Sequence, residues 1–148
     1  MALWGVHPIA TRAVSALVRY EIEAGLNILV VDDELSVTVS IRLTLKSRGH
    51  SVDSLDRAPE ALERLKQYPD HYHILITDHL MPGMTGLELL TQLKQTAFKG
   101  KIIVISAYLT AALEGQYKAL GADMIMQKPF VLDELRMAVE ELRPLAVT

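Results

Sequence analysis

The chain has 148 residues, of which half are apolar and 22% are charged, and its formal net charge is -3. This length suits one domain that hides roughly 70% of its unfolded surface, and the apolar content excludes a disordered chain. The acidic balance lacks the basic footprint of a nucleic-acid-binding protein. Without cysteine, the chain has no disulfide bonds, thiolate zinc sites or cysteine nucleophiles. The apolar runs are too short to span a membrane.

Residues 1–26 differ in pattern from the rest and are predicted to form an N-terminal extension. Apolar side chains recur at helical spacing over residues 9–20. Arg12 and Arg19 interrupt this segment, and no cleavage pattern of small residues follows, which argues against a signal peptide. Two interpretations stay open: an amphipathic arm that packs on the domain or on a second copy, and a leader with no structural role.

Five short segments predict the strands of one sheet. Residues 27–31, 73–77 and 101–105 are β-branched runs without alternation, which is typical of strands covered on both faces of a parallel sheet. Residues 50–55 and 122–126 mix acids with apolar residues and are predicted to be edge strands. This division predicts an α/β fold with a doubly wound, five-stranded parallel sheet of strand order 2-1-3-4-5.

Parallel strands require crossover connections, so the segments between them are predicted to be helices. Residues 59–66, 87–94 and 132–142 have an apolar face at helical spacing. A fourth helix is predicted at residues 110–120, where Gly115 weakens the helix interior by roughly 1 kcal/mol relative to alanine.

Residues 37–45 carry two conflicting patterns. Apolar and polar residues alternate there as in a strand, but Val37, Ile41 and Leu45 also form a helical stripe. Gly49 follows at the place of a helix C-cap. Because the topology needs a crossover helix here, we predict a helix.

Polar side chains follow four of the predicted strands. Asp32 and Asp33 follow the first strand, Asp78 the third, Ser106 the fourth and Lys128 the fifth. Each alone suits an ordinary role, such as a helix cap, a turn or a solvated charge. In an open α/β sheet, however, the carboxyl ends of parallel strands meet at one edge, and ligands bind where the strand order reverses. Together these residues predict a single crevice.

The chemistry of that crevice points to a metal-assisted phosphoryl transfer. Converging carboxylates repel one another and therefore need a cation. Oxygen ligands without histidine or cysteine favour a hard divalent ion, Mg²⁺ or Mn²⁺. A carboxylate can attack phosphorus while the metal and an ammonium neutralise the phosphoryl oxygens and a hydroxyl donates to one of them.

Four motifs in residues 27–144 resemble the receiver domain of two-component response regulators. They are Val30-Val31-Asp32-Asp33-Glu34, Asp78-His79-Leu80-Met81-Pro82-Gly83, Ser106-Ala107 and Lys128-Pro129-Phe130. The resemblance implies a CheY-like, flavodoxin-like fold and assigns residues 27–148 to a receiver domain.

The resemblance also implies a role for each polar residue. Asp78 would accept a phosphoryl group from a sensor histidine kinase or a histidine phosphotransfer protein. Ser106 and Lys128 would contact that group, and the Lys128–Pro129 peptide bond would be cis, which is an option essentially only before proline.

The implied metal site has four ligand groups. Asp33 would bind Mg²⁺ directly and Asp32 mostly through water. Asp78 and the backbone carbonyl of Leu80 would complete the set.

Ser106, Ile125 and Tyr108 are predicted to belong to the switch, and Leu80 joins Tyr108 in tuning hydrolysis. The resemblance implies that Ser106 follows the phosphoryl group, while Ile125 stands where the family usually has an aromatic residue. Tyr108 and Leu80 occupy positions that tune hydrolysis of the acyl phosphate in this family, and their bulk is predicted to restrict water access. The expected output surface consists of the fourth helix in chain order (residues 110–120), the fifth strand (residues 122–126) and the fifth helix (residues 132–142).

These features predict a signalling domain and not an enzyme, located in the cytoplasm as a monomer or a phosphorylation-dependent dimer. Its partner downstream is expected to be a protein, with no nucleic-acid or membrane contact. The alternatives are an unphosphorylated protein-binding module and an Asp-nucleophile phosphohydrolase, although Leu80 stands where such an enzyme has its second aspartate. A histidine metal site at His71, His73 and His79 is a further alternative.

Overall fold

A computed structural model describes residues 24–144, and these form a five-stranded parallel sheet with helices on both faces. The strands are β1 (Asn27–Val31), β2 (Ser51–Leu55), β3 (Ile74–Asp78), β4 (Lys101–Ser106) and β5 (Met124–Gln127). Their order is β2-β1-β3-β4-β5, and every neighbouring pair is parallel. The predicted architecture is therefore confirmed. The helix predicted at residues 9–20 lies outside the described residues.

Five helices accompany the strands, four as crossover connections and the fifth after β5. They are α1 (Leu35–Lys46), α2 (Ala58–Gln67), α3 (Gly86–Leu93), α4 (Ala111–Ala119) and α5 (Leu132–Glu141). Buried side chains of α1 and α5 cover one face of the sheet, and those of α2, α3 and α4 cover the other. None of these helices is long and apolar enough to cross a membrane.

The strands alternate their side chains between two apolar clusters. In β1, Leu29 and Val31 join one cluster while Ile28 and Val30 join the other, as the two-residue period of a strand requires. All residues of β3 are buried, whereas β2 and β5 are only partly covered. The predicted division into central and edge strands is confirmed.

The helical interpretation of residues 37–45 is also confirmed. Ile41 and Leu45 are fully buried against the sheet, while Val39 and Leu43 face outward. Gly49 has a φ of 89° and donates its backbone N–H to Lys46. That left-handed conformation favours glycine. The need for a crossover helix and its glycine turn therefore decide the structure of this segment, and the strand-like alternation does not.

Three strands, β3, β4 and β5, end one residue later than predicted, and β5 ends at Gln127. Asp78 is the last residue of β3 and Ser106 the last residue of β4, and both are buried. Asp78 aligns with Ile105 in the register. The sheet itself therefore fixes the backbone of both polar residues.

A buried histidine joins the amino-terminal edge of the sheet to the end of α5. Nδ1 of His50 accepts the Leu26 backbone N–H at 3.0 Å, and its Nε2 lies 3.1 Å from Glu140 Oε1. Arg143 donates to Glu140 at 2.9 and 3.1 Å and to the backbone carbonyl of Ala24. Burial lowers the pKa of His50 against the opposing charge of Glu140.

We predict that His50 makes folding sensitive to mild acid. Because its pKa is lower in the folded state, the unfolded chain binds more protons as the pH falls below about 6.5, and stability declines. At pH 7.5, His50→Leu should lower the free energy of unfolding by about 1–3 kcal/mol, since buried polar groups lose their partner. The difference between wild type and variant should shrink between pH 7 and 5.5 in denaturant titrations. Exposed His71→Leu is the control, and a constant difference would contradict the prediction.

Candidate functional site

Three carboxylates meet at the carboxyl edge of the central strands. Asp32 follows β1 and Asp78 ends β3, and both are buried, while Asp33 is exposed. One ligand oxygen from each lies within 4.8 Å of the others. Within residues 24–144, no other trio of acidic or histidine side chains comes this close. The structure therefore assembles the predicted acid cluster.

The sheet register and the turn into α1 hold the acid pair in place. Val31 aligns with Thr77 in β3, and the Asp32 N–H donates to the Leu55 carbonyl at 3.1 Å. Asp32 Oδ1 accepts the Glu34 N–H at 2.9 Å. Glu34 is the N-cap of α1, so Asp33 does not fill the capping role that was its ordinary alternative.

Lys128 brings a positive charge to the cluster from the end of β5. Its Nζ donates to Asp32 Oδ2 at 2.9 Å, to Glu34 Oε1 at 3.2 Å and to Asp78 Oδ2 at 3.3 Å. The Lys128 N–H donates to the Ser106 carbonyl at 2.8 Å, and the Lys128–Pro129 bond is cis as predicted. One ammonium thus serves three carboxylates.

The charges in this cluster are not in balance. Burial, followed by the charge of Asp32, raises the pKa of Asp78 to about 6, although Lys128 opposes the shift. For Lys128, burial lowers the pKa, but the hydrogen bond to Asp32 and the charges of Asp32 and Asp78 outweigh it and raise the value. Even beside Lys128, burial and the charge of Asp32 therefore disfavour the ionised form of Asp78.

The Asp78 carboxylate is oriented from both sides. The His79 N–H donates to Oδ1 at 2.8 Å, and Lys128 donates to Oδ2. The same His79 N–H also donates to the Ile105 carbonyl at 3.0 Å, which ties the peptide to β4. A carboxylate held in this way at an open edge can act as a nucleophile.

Ser106 lies beside the cluster, but its hydroxyl is occupied elsewhere. Ser106 Oγ donates to the Tyr108 carbonyl at 2.7 Å and accepts the Tyr108 N–H at 3.1 Å. The Tyr108 side chain is 70% exposed and that of Leu80 is 53% exposed. The structure therefore places Ser106 at the predicted edge in its ordinary loop-bonding role.

Sequence reasoning missed two polar contacts of the site. Glu34 follows the acid pair directly and pairs with Lys128, a proximity that the sequence could have suggested. Tyr117 is a fully buried residue of α4 whose hydroxyl oxygen lies 2.5 Å from His79 Nδ1. Nothing in its local sequence marks Tyr117 as a neighbour of residue 79. Ile125 is partly buried and packs against the cluster that contains Tyr117.

The histidine alternative is not assembled in the described residues. His73 precedes β3 and its Nδ1 accepts the Asn27 N–H at 2.9 Å. His79 follows β3 at the opposite end of the strand and contacts Tyr117. These two rings therefore have different hydrogen-bond partners at opposite ends of β3 and do not form a shared metal site.

Comparisons with known proteins give a single family. Residues 28–140 match the model described as "Response regulator receiver domain". The chain is 32% identical over 117 residues to the two-component response regulator PhoP of Pseudomonas aeruginosa, covering 79% of this chain and 51% of that protein. It spans about half the length of the curated relatives that it matches.

Solved structures agree with this relationship. A response regulator receiver protein from Pseudomonas putida is 30% identical with a TM-score of 0.71, over 80% of this chain and 98% of that one. The chemotaxis protein CheY4 of Vibrio cholerae is 26% identical with a TM-score of 0.73, over 81% of this chain and all of that one. With the acid cluster at the edge of the same sheet, the chain belongs to the response regulator receiver domain family, whose members are signalling domains of two-component systems and not catalytic enzymes.

Proposed function

We propose that Asp78 is the phosphoacceptor of this receiver domain, which we extend to residues 27–148. The donor is a phosphohistidine on a sensor histidine kinase or a histidine phosphotransfer protein. The observation that carries the proposal is the meeting of Asp32, Asp33 and Asp78 around the ammonium of Lys128. A purely structural acid would have no need of this convergence.

The transfer exchanges one bond to phosphorus for another. A carboxylate oxygen of Asp78 forms the O–P bond while the P–N bond of the phosphohistidine breaks, and the imidazole leaves with the electron pair. The His79 N–H and Lys128 hold the nucleophile in position, and Lys128 balances the charge that gathers on the equatorial oxygens. Ser106 would release the Tyr108 backbone in order to donate to one of those oxygens.

The donor set fits a hard divalent cation. Three carboxylates lie within 4.8 Å of one another against the single positive charge of Lys128, which pairs with Asp32 and Asp78, so the site has surplus negative charge. Asp32, Asp33, Asp78 and the Leu80 carbonyl would hold Mg²⁺ or Mn²⁺, which when bound neutralises phosphoryl oxygens. This chain's own residues orient the nucleophile and supply the ammonium.

The phosphodonor has an open approach beside Lys128. A groove of about 510 Å³ lies between α1 and the segment that follows β5. Its lining includes Glu34, Val37, Lys128 and Phe130. Leu35, at the start of α1, is 75% exposed. We propose that the donor docks over this groove, since an apolar patch next to the nucleophile favours a protein partner.

The output of the domain is proposed to be a protein contact on α4, β5 and α5. Phosphorylation adds about -1.5 to -2 charges at one edge of the sheet, and this surface borders that edge. We further propose that the domain works in the cytoplasm, as a monomer or a phosphorylation-dependent dimer.

We predict that the protein becomes phosphorylated on Asp78. After incubation with Mg²⁺ and acetyl phosphate, the intact mass of wild type should increase by one acid-labile phosphoryl group, and Asp78→Asn should gain none. Asp56→Asn, which changes an exposed aspartate after β2, is the matched control and should gain the group. An unmodified wild type would support the unphosphorylated binding module instead.

We predict that the divalent cation relieves repulsion at Asp78. In chelator, Asp78→Asn should raise the free energy of unfolding at pH 7.5 by about 1–3 kcal/mol, since the folded-state pKa is raised and stability falls as the pH rises from about 4 to 6. Mg²⁺ should stabilise wild type more than this variant. Asp33→Asn should weaken Mg²⁺ binding at least about tenfold in calorimetry. Equal Mg²⁺ affinity in all three proteins would contradict the metal site.

We predict that Leu80 and Tyr108 slow loss of the phosphoryl group by limiting the approach of water. The double variant Leu80→Ala and Tyr108→Ala should lose the group several-fold faster than wild type when decay is followed by intact mass after the donor is removed. Val131→Ala, which shortens an exposed side chain before α5, is the control. Equal decay rates in wild type and the double variant would refute the shielding role.

A further inference from the structure

Helix α4 is attached to the core through one buried side chain. Of its nine residues, only Tyr117 is buried, with 0% of its surface exposed. Leu113 is partly buried against the same cluster, and Thr110 caps the helix by accepting the Leu113 N–H. The position of α4 therefore depends chiefly on what Tyr117 contacts.

Tyr117 contacts the residue next to the phosphoacceptor. Its hydroxyl oxygen lies 2.5 Å from Nδ1 of His79, and the two rings meet edge to face with centroids 5.4 Å apart. Burial, followed by the charge of Asp78, raises the pKa of Tyr117, and burial lowers the pKa of His79. The contact is a hydrogen bond between an imidazole nitrogen and a phenol oxygen.

The hydroxyl lies deep in the fold, at the start of α3. A Cβ added to Gly86 would come within 2.5 Å of the Tyr117 hydroxyl and 2.7 Å of the Asp78 carbonyl oxygen. The Gly86 N–H donates to the His79 carbonyl at 2.8 Å. Glycine at position 86 therefore leaves the space that the Tyr117 hydroxyl and the Asp78 carbonyl occupy beside the start of α3.

This contact joins α4 to the peptide that orients the nucleophile. The His79 N–H donates to Asp78 Oδ1, while the His79 ring is held by Tyr117. A phosphoryl group on Asp78 would change the charge that this N–H faces, on the same residue whose ring contacts Tyr117 of α4.

Building on the proposed phosphorylation of Asp78, we propose that Tyr117 is a positioning residue that couples Asp78 to α4 through its hydrogen bond with His79. The hydroxyl, and not the ring alone, carries the coupling. Because coupling free energies are reciprocal, the same bond also influences how readily Asp78 binds a phosphoryl mimic.

The test compares hydrogen exchange in α4 with and without Mg²⁺ and beryllofluoride, a phosphoryl mimic. In wild type, loading should change the protection of the α4 amides. The effect of loading is measured as the ratio of the α4 exchange rates in unloaded protein to those in loaded protein. In Tyr117→Phe this ratio should be closer to one than in wild type by a factor of about 2 to 12, which is the factor that one hydrogen bond of ordinary net strength represents. Tyr68→Phe removes an exposed tyrosine hydroxyl at the end of α2 and should behave as wild type.

A second variant separates coupling from simple loosening of the helix. His79→Leu removes the bond from the other side and should reduce the ratio similarly, while the double variant should lose no more than either single one. If Tyr117→Phe instead speeds exchange equally in both states, so that the ratio is unchanged, the role is structural and the proposal is overturned.

The outcomes also distinguish this inference from the function on which it rests. If wild type gains no phosphoryl group from acetyl phosphate and its α4 exchange does not change with beryllofluoride, both the phosphoacceptor role of Asp78 and the coupling role of Tyr117 fail. If wild type responds and Tyr117→Phe responds equally, only the coupling role of Tyr117 fails.

Discussion

The contact of Lys128 with Asp32, Glu34 and Asp78 is the interaction on which the site depends. Buried carboxylates are costly to the fold unless they are paired, and here one ammonium pairs with two of them, Asp32 and Asp78, as well as with the exposed Glu34. The pairing is incomplete, because the pKa of Asp78 stays raised to about 6. The fold therefore tolerates an electrostatic strain that a divalent cation and a phosphoryl group would both act on.

The strand order of the sheet brings the residues of that contact together. Asp32 and Asp78 leave neighbouring parallel strands in the same direction, and Lys128 leaves the edge strand two positions further along. Residues separated by 96 positions in the chain thus come within 2.9 Å. Because both faces of the sheet are covered by helices, the strand ends are the part of the central strands that stays open to partners.

The sequence carried enough information to predict the fold and most of the site. The five strands, their order and α1 followed from apolar runs and from the need for crossover helices, and the acid cluster followed from the strand ends. The strand ends at Asp78 and Ser106 were placed one residue early, because buried polar residues look like loop residues in sequence. The contact of Tyr117 with His79 joins segments 38 residues apart, and no local pattern encodes it. The Ser106 hydroxyl instead bonds to the Tyr108 backbone two residues on, a local loop contact of the ordinary kind.

Ile125 and Tyr117 lie in the same region of the core. Ile125 is a partly buried aliphatic residue on the edge strand, and Tyr117 is the fully buried aromatic residue that reaches the site from α4. A small displacement of either side chain is enough to strengthen or break the hydrogen bond between Tyr117 and His79. Packed cores respond to small displacements through discrete rearrangements. Since α4 has no other fully buried residue, the proposed coupling through that bond would act on the helix as a whole.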